Sequence, residues 1–448
     1  MVFSYNSYNN LVIDKIESFT SEIDDYRKKY DFDYRALITR ALVIHHGTIP
    51  TSKSYENIIK AKSLKDLFLK KIFVKRFCGN FFVNLLRSLI HFILFRYDLI
   101  SFPKNNITFA VHHVKFINYI NESGIFDKTQ INWILLGNLK VPKKNLLKDN
   151  FIRYRNINFS FYKKCFILRF CDNQYESLLF FIKRVKPSSI FVVEGDAPYH
   201  IHVSNICNKL GIKNFCFQWG LIHNTAARTR FSNMNFTSFL TWGNFFTDQL
   251  IPFNPKQTFC DLGHLNFSFT ESDGDSIIFL DQGPSNPSID QSHFQDYHNM
   301  ILKFSRNTDY KIIVRPHPNF DLCEILRANL IQHGVEISKK TTSLSHDLSR
   351  SKVAVSIMSS SLLDASINGI IPVSFRYDEL EEYPFPLNQL KLGLESSCPN
   401  KIFEFVNSIM SQPLLFKQYQ ERLHKSVKQL FSSNTSRQRK NSLFELLL

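Results

Sequence analysis

Short, unbroken apolar runs that stop at polar residues recur along the chain from about residue 106, and nothing else in the sequence constrains the fold as strongly. "NITFAVHH" (Asn106 to His113), "INWILLGN" (Ile131 to Asn138), "SSIFVVEGD" (Ser189 to Asp196), "KNFCFQWG" (Lys213 to Gly220) and "NFTSFLTWG" (Asn235 to Gly243) form a first series. Such runs are shorter than helices, are not alternating, and are bounded by turn residues, which predicts strands buried on both faces. Between the third and fourth lies "APYHIHVSNICNKLGI", with apolar residues recurring at Ile201, Ile206 and Leu210 and a glycine stop. Strands alternating with helices predict a parallel sheet covered by helices.

A second series follows the polar, acidic stretch "FTESDGD" (Phe269 to Asp275), read as a linker. "SIIFLDQGPSN" opens it, and a helix is expected around His293 to Arg306. Then come "YKIIV", the loop "RPHPNFD", the helix "LCEILRANLIQHG", and the strands "VEIS", "VAVSI" and "IPVSF". The expected fold class is therefore α/β, with two Rossmann-like doubly wound domains facing a cleft and a mostly helical N-terminal extension. The boundaries read as a helical segment 1–100 packed on or part of the first domain, a first domain 101–268, a second domain 276–412, and a helical tail 413–448. A length of 448 residues suits two domains.

Charge narrows the partners. Lys and Arg number 55 against 39 acidic residues, a formal net charge of +16, which attracts polyanions and anionic surfaces. No zinc-finger spacing, RNP-like aromatic sequence or GXXG clamp appears, so nucleic acid is not an expected partner. The eight cysteines include no CxxC pair, and reduced cytoplasmic thiols are expected. The opening "MVFSYNSYNNLVIDK" lacks the apolar core of a secretory signal. The most apolar stretch, Phe81 to Phe95, is too short for a span and is broken by Arg87 and His91. Around it, from Ala61 to Arg96, eight Lys and Arg residues face one acid, with phenylalanines interleaved. That pattern predicts either an anionic-membrane contact or a helix with a solvated basic face.

Ligands of open parallel sheets bind beyond the carboxyl ends of the strands, so the residues just after each strand carry the information. In the second domain these are Gln282, Gly283 and Ser285; Arg315, His317 and Pro318; and Ser359, Ser360 and Ser361. Serine hydroxyls and free N–H groups at a helix start suit a phosphate. Arg315 and His317 add donors on a loop stiffened by two prolines. Taken singly, serines before a helix also serve as N-caps, and a histidine between prolines serves as a turn. Their order, HP loop after one strand and serine loop two strands later, favours a donor-phosphate site. In the first domain the strand end offers Glu194 and Asp196, either of which could act as general base; an Asp here also caps helices. Gln218, Trp219 and His223 follow the next strand as acceptor-binding candidates, Trp219 either lining a site or packing. His200 and His202 are not expected ligands. "DGD" at Asp273 to Asp275 lies in the linker and reads as a solvated turn, so no metal is expected.

The elements "VVEGDAPYHIHVSNICNKLGIKNFCFQWG", "FLTWGNFFTD", "KIIVRPHPNFD" and "VAVSIMSSSLLDASINGIIPVSF" resemble those of GT-B glycosyltransferases that build bacterial surface polysaccharides, over roughly Ser189 to Phe375. The HP and Ser-Ser elements look like those of transferases using CMP-activated sialic acid or Kdo. The resemblance implies a metal-independent transfer of a sugar from a CMP-linked nucleotide-sugar to a saccharide or lipid-linked saccharide acceptor, in capsule or lipopolysaccharide synthesis. It implies phosphate contacts for His317, Ser359, Ser360 and Ser361, and a base at Asp196 or Glu194. "EGD" and Trp219 depart from the residues common in those families, so the base stays open between the two. The setting implied is the bacterial cytoplasm, peripheral at the inner face of the membrane. CDP-polyol phosphotransferases of cell-wall polymer synthesis carry a similar HP and Ser-Ser arrangement and are the alternative, with a non-catalytic assembly module as the third.

Overall fold

A computed structural model describes residues 5–19, 21, 52–62, 66, 107–126, 131–136, 150–153, 166–222, 227, 230–265, 271–283, 291–317, 321–339, 341–357, 359–376, 387–388, 392–431 and 436–447. Of the sequence-predicted features, the apolar stretch Phe81 to Phe95, the basic residues around it (Lys62 apart), His223, Ser285 and Pro318 lie outside the described residues. The chain divides into two compact units. The first comprises residues 6–220, 225–266 and 434–448; the second comprises 1–5, 221–224 and 267–433.

The first unit holds helices α1 (Tyr5–Ser18) and α2 (Ser52–Lys60), then β1 (Ile107–Val111), α3 (Val114–Ser123), β2 (Ile131–Leu135) and β3 (Asn150–Arg153). It continues with α4 (Phe166–Val185), β4 (Ser189–Val193), α5 (Pro198–Leu210), β5 (Lys213–Phe217), β6 (Ser238–Thr241), α6 (Asn244–Leu250) and β7 (Phe259–Asp261). Its seven strands are parallel in the order β3-β2-β1-β4-β5-β6-β7. The second unit holds β8 (Ser276–Leu280), α7 (Gln291–Asn307), β9 (Lys311–Arg315), α8 (Glu324–Gln332), β10 (Glu336–Ile337), α9 (Leu344–Ser349) and β11 (Ser351–Ser356). α10 (Ser361–Ile367), β12 (Ile371–Phe375), β13 (Leu394–Ser396), α11 (Pro399–Ser411) and α12 (Pro413–Leu430) complete it, and α13 (Ser436–Leu447) returns to the first unit. The second sheet is also parallel, in the order β10-β9-β8-β11-β12-β13.

Both orders are those of a doubly wound α/β sheet, as the sequence predicts. Each has one place where the chain reverses its direction of travel across the sheet, between β1 and β4 in the first unit and between β8 and β11 in the second. The crevice beyond the strand ends at such a reversal is the natural ligand position of this fold.

Every quoted apolar run contains a strand, for the reason that predicted it: β2, β4, β8 and β12 are buried along their whole length. The phenylalanine richness has a structural use in the first sheet. Trp133, Phe109, Phe191 and Phe215 stand at matching register on β2, β1, β4 and β5, with successive ring centroids 5.2, 5.1 and 4.8 Å apart. This row of aromatic rings forms the core of one face and is closed in part by Leu443 of α13. Lys213 Nζ reaches the Leu446 carbonyl at 3.4 Å and Arg439 Nη1 the His264 carbonyl at 2.6 Å, tying α13 to the first unit. Among the described residues no helix is long and apolar enough to cross a membrane.

The acidic stretch before β8 is folded rather than a free connector. Ser272 Oγ donates to the Ser351 carbonyl at 2.6 Å, and a Cβ on Gly274 would lie 2.2 Å from the Arg350 backbone. Asp273 and Asp275 nevertheless face solvent, with Asp275 paired to Lys311 at 2.5 Å.

Candidate functional site

In the first unit, the strand reversal brings the end of β1 beside the end of β4. His112 follows β1 and Glu194 follows β4, and His112 Nε2 lies 3.4 Å from Glu194 Oε2. Each of the two side chains is about a quarter exposed, so the pair opens to solvent. Glu194 has φ +86°, a left-handed conformation that costs a side-chain-bearing residue about 1–2 kcal/mol. Gly195 follows at φ +86°, and there the conformation needs glycine twice over: a Cβ would meet Cys216 Sγ at 2.6 Å. The tight turn after β4 thus presents the Glu194 carboxylate at the mouth of the reversal.

Three cationic or imidazole groups face that carboxylate. Burial alone would raise the Glu194 pKa, but the His112 hydrogen bond and the charges of Lys115, His112 and Arg230 outweigh it and hold the group below the ordinary carboxylate value. Lys115 Nζ sits 4.9 Å from the ring centroids of both Phe116 and Trp219. Burial lowers the Lys115 pKa, and the Glu194 carboxylate opposes the shift. Trp219 packs edge-on against Phe116 and Tyr119 at 5.0 and 4.9 Å and stays half-buried.

The other carboxylate of the turn has a different fate. Asp196 is 2 % exposed and forms an ion pair with Arg230. Gln218 is 1 % exposed and spends its amide internally, donating to the Gly220 carbonyl and accepting from the Trp242 N–H, both at 3.0 Å. His200 accepts the Ala197 N–H at the start of α5 at 3.2 Å, so its ring is part of that helix's cap. Of the sequence-predicted residues of this unit, the structure leaves Glu194 and Trp219 open at the reversal and commits Asp196 and Gln218 to the interior.

The second reversal is built from other groups. β8, β9 and β11 are adjacent, and Leu280 pairs with both Arg315 and Ser356, so the three chains leave the sheet side by side. Asp281, Gln282 and Gly283 leave β8, His317 follows β9 by two residues, and Ser359 follows β11 by three. Gly283 has φ +76°, and its N–H donates to Asp281 Oδ1 at 2.8 Å. Asp281 Oδ2 lies 3.0 Å from Nε2 of His298 on α7. His317 is half-buried; burial lowers its pKa and the nearby Asp281 charge opposes the shift. The serines start α10: Ser359 Oγ accepts the Ser361 N–H at 3.1 Å, and Ser360 is exposed. Asp364, in the first turn of α10, has its pKa pushed up to about 7 by burial.

Arg315 is not turned toward these groups. Its guanidinium is paired with Asp347 and also reaches Ser338 Oγ at 3.4 Å and the Thr342 carbonyl at 3.1 Å, while Ser338 donates to Asp347 at 2.5 Å. It ties β9 to α9 and to the residues after β10. His112, Lys115, Arg230, Asp281 and His298 were not among the candidates from sequence. The strand-end rule that singled out His317 applies equally to His112 and Asp281, the first polar residues after β1 and β8; Arg230 and His298 carry no such mark. Among the described residues no group of three or more His, Cys, Asp or Glu side chains could hold a metal ion.

No protein-family model matches the sequence, and no curated protein matches it either. Solved structures do. UDP-GlcNAc 2-epimerase from Neisseria meningitidis bound to UDP-GlcNAc superimposes with a TM-score of 0.51 at 12% identity, covering 76% of this chain and 99% of the other. A UGT from Arabidopsis thaliana complexed with UDP-L-rhamnose gives 0.51 at 8% identity, covering 77% and 100%. MnaA of S. aureus, in a co-structure with UDP, gives 0.50 at 9% identity, covering 71% and 91%. At these identities the likeness is one of fold: two doubly wound α/β units of the GT-B type.

Proposed function

We propose that this protein is a glycosyltransferase that moves a sugar from a nucleotide-sugar to a saccharide acceptor. The second unit would bind the donor and the first the acceptor. The observation that supports this most is the emergence of Gln282–Gly283, His317 and Ser359–Ser361 from three adjacent strand ends at the second reversal. Backbone N–H groups, hydroxyls and a half-buried imidazole form a set of donors with no exposed carboxylate among them, which suits a phosphate. With its pKa lowered, His317 is uncharged at neutral pH and donates one ring N–H.

In the first unit, the Glu194–His112 pair is our assignment for the base. The acceptor hydroxyl's O–H bond breaks, its oxygen forms the new bond to the sugar's anomeric carbon, and the bond from that carbon to the donor phosphate oxygen breaks. The proton passes to the Glu194–His112 pair, and the phosphate leaves with its negative charge under the hydrogen bonds of His317 and the serines. Asp196 is assigned a supporting role, because a buried carboxylate paired to Arg230 is not free to accept a proton from the acceptor.

The donor we favour is CMP-linked, a sialic acid or Kdo-like sugar, with a lipid-linked or growing surface saccharide as acceptor at the inner face of the bacterial membrane. The second reading is a UDP-sugar, favoured by the UDP compounds named with the similar folds. A thermal-shift series with CMP, CDP, UDP and GDP separates the two, since a ligand that binds only the native state raises its stability. CMP alone raising the melting temperature supports the first reading, UDP alone the second, and no shift with any nucleotide refutes both. Membrane attachment is tested by liposome flotation with Lys70, Lys71, Lys75 and Arg76 neutralised; unchanged binding to anionic vesicles removes that part of the proposal.

A further inference from the structure

Two buried ionisable groups near the second reversal are not among those assigned to the donor. Asp281 is 2 % exposed and His298 7 %, and they meet at 3.0 Å where β8 ends. A buried carboxylate is costly unless its oxygens are satisfied. Here the two oxygens have partners of different kinds: Oδ1 accepts the Gly283 N–H at 2.8 Å, and Oδ2 faces His298 Nε2. The first bond closes a turn over Gln282 with Gly283 at φ +76°; the second anchors that turn to α7. His298 is itself held, with its ring stacked on Phe294 at 6.1 Å and beside Tyr297 at 5.9 Å. Tyr297 in turn donates from its hydroxyl to the Val355 carbonyl of β11 at 2.8 Å. A continuous chain of contacts therefore runs from the strand on the far side of the reversal, through α7, to the Gln282–Gly283 turn.

We propose that Asp281 and His298 are a positioning pair for the donor site: Asp281 fixes the Gln282–Gly283 turn in the shape that receives the nucleotide, and His298 fixes Asp281. This rests on the reading of the second unit as the nucleotide-binding one. A loop that presents backbone N–H groups to a phosphate must hold them in place before the ligand arrives, and two hydrogen bonds on one buried carboxylate do so without placing an exposed negative charge at the site. The pair touches neither sugar nor phosphate in this scheme, so its effect falls on affinity and not on the chemistry.

The test uses the full chain, with the dissociation constant of CMP and of UDP measured by calorimetry and the melting temperature of each variant measured without nucleotide. Asp281→Asn keeps the shape and can still accept the Gly283 N–H, and is expected to bind within about threefold of the wild type. Asp281→Leu removes the acceptor and is expected to weaken binding by about tenfold or more. His298→Phe keeps the ring stack and removes the hydrogen bond; it is expected to weaken binding by about fivefold and stands in if Asp281→Leu does not fold. Wild-type affinity in His298→Phe and Asp281→Leu, with only the melting temperature lowered, overturns the pair's positioning role while leaving the donor site standing. A wild type that binds neither nucleotide overturns the donor reading itself, and the pair's role with it.

Discussion

The two strand reversals have the same topology and opposite electrostatics. In the first unit, an ionised carboxylate is pushed outward on a left-handed backbone and surrounded by His112, Lys115 and Arg230. In the second, the carboxylate at the reversal is Asp281, which follows β8 as His112 follows β1; it is turned inward and locked by Gly283 and His298, while hydroxyls and an imidazole remain outside. This difference is what our assignment of a proton acceptor to one crevice and a phosphate to the other rests on. A surface that must take up a proton keeps a negative charge accessible; one that must receive a phosphate keeps it hidden. Fold alone does not separate the two roles, because both sheets would be drawn with the same strand order. In the function we propose, the side chains at the β1/β4 and β8/β11 ends do.

All three tryptophans, Trp133, Trp219 and Trp242, lie in the first unit, so tryptophan fluorescence reports that unit and circular dichroism reports both. This permits the sharpest break in the comparison. Each unit pairs a buried Asp with an Arg, but Asp347 keeps Ser338 when Arg315 is removed, whereas Asp196 relies on its ion pair with Arg230. Arg230→Met is therefore expected to destabilise the first unit by about 3–5 kcal/mol, the cost of stranding a buried charge. Arg315→Met should cost the second unit less, about 1–3 kcal/mol. Urea unfolding followed by both signals checks this; equal losses would mean that Asp196 finds another partner and that the two pairs are equivalent.

Acid should also act more strongly on the first unit. His264 lies between the rings of Trp242 and Tyr119, at 4.7 and 5.7 Å, with Arg439 of α13 nearby. Burial first, and the Arg439 charge second, push its pKa down to about 3 from an ordinary 6.5. Between those values the unfolded chain binds a proton that the folded chain refuses, so stability falls as pH drops below 6.5. The loss reaches about 2 kcal/mol at most by pH 5. The tryptophan-detected urea midpoint should drop between pH 7 and pH 5, and His264→Gln should flatten that drop. An unchanged slope in the variant assigns the acid sensitivity to the carboxylates instead.

The sequence made the central strands legible because they are buried on both faces and so consist of unbroken apolar residues. The strands it did not reveal are β3, β7 and β13, all at sheet edges. "NFIR", "FCD" and "LES" are short and mixed in polarity, because an edge has one neighbour and less to bury. The return of α13 to the first unit is also hidden, since a basic, polar helix gives no sign of its partner when Leu443 and the hydrogen bonds at Arg439 and Leu446 are what anchor its described residues. At the candidate site, position along the strand was readable and side-chain direction was not. Glu194 and Asp196 are two residues apart with equivalent prospects in the sequence, and the two successive φ +86° residues together with the Asp196–Arg230 pair decide which points outward. Arg315 and His317 likewise sit two apart, yet one is drawn into Asp347 and the other is left half-open. Long-range ion pairs make these decisions, and such pairs have no local signature.

The left-handed positions give the smallest and most telling test of the comparison. In the second unit the described positive-φ residues are all glycines: Gly283, Gly334 and Gly369. In the first unit Glu194 occupies such a position at φ +86° and bears the full side chain. Strain of this kind persists where surrounding structure imposes it, and an active site is the usual beneficiary. Glu194→Gly removes the strain and with it the contacts to His112 and Lys115, which are partly exposed and individually weak. The variant is expected to be more stable than the wild type by about 1 kcal/mol in the tryptophan-detected transition. Sugar transfer, by contrast, should be lost, because the carboxylate is gone. Glu194→Gln keeps the backbone conformation and the size of the side chain; its stability should stay within about 0.5 kcal/mol of the wild type, again without transfer. The opposite signs in Glu194→Gly are the point: a residue that lowers stability and supports activity is one the fold holds in place for chemistry. A loss of stability in Glu194→Gly, together with transfer retained in Glu194→Gln, would mean that the contacts of Glu194 are structural and that the two reversals differ in charge without differing in task.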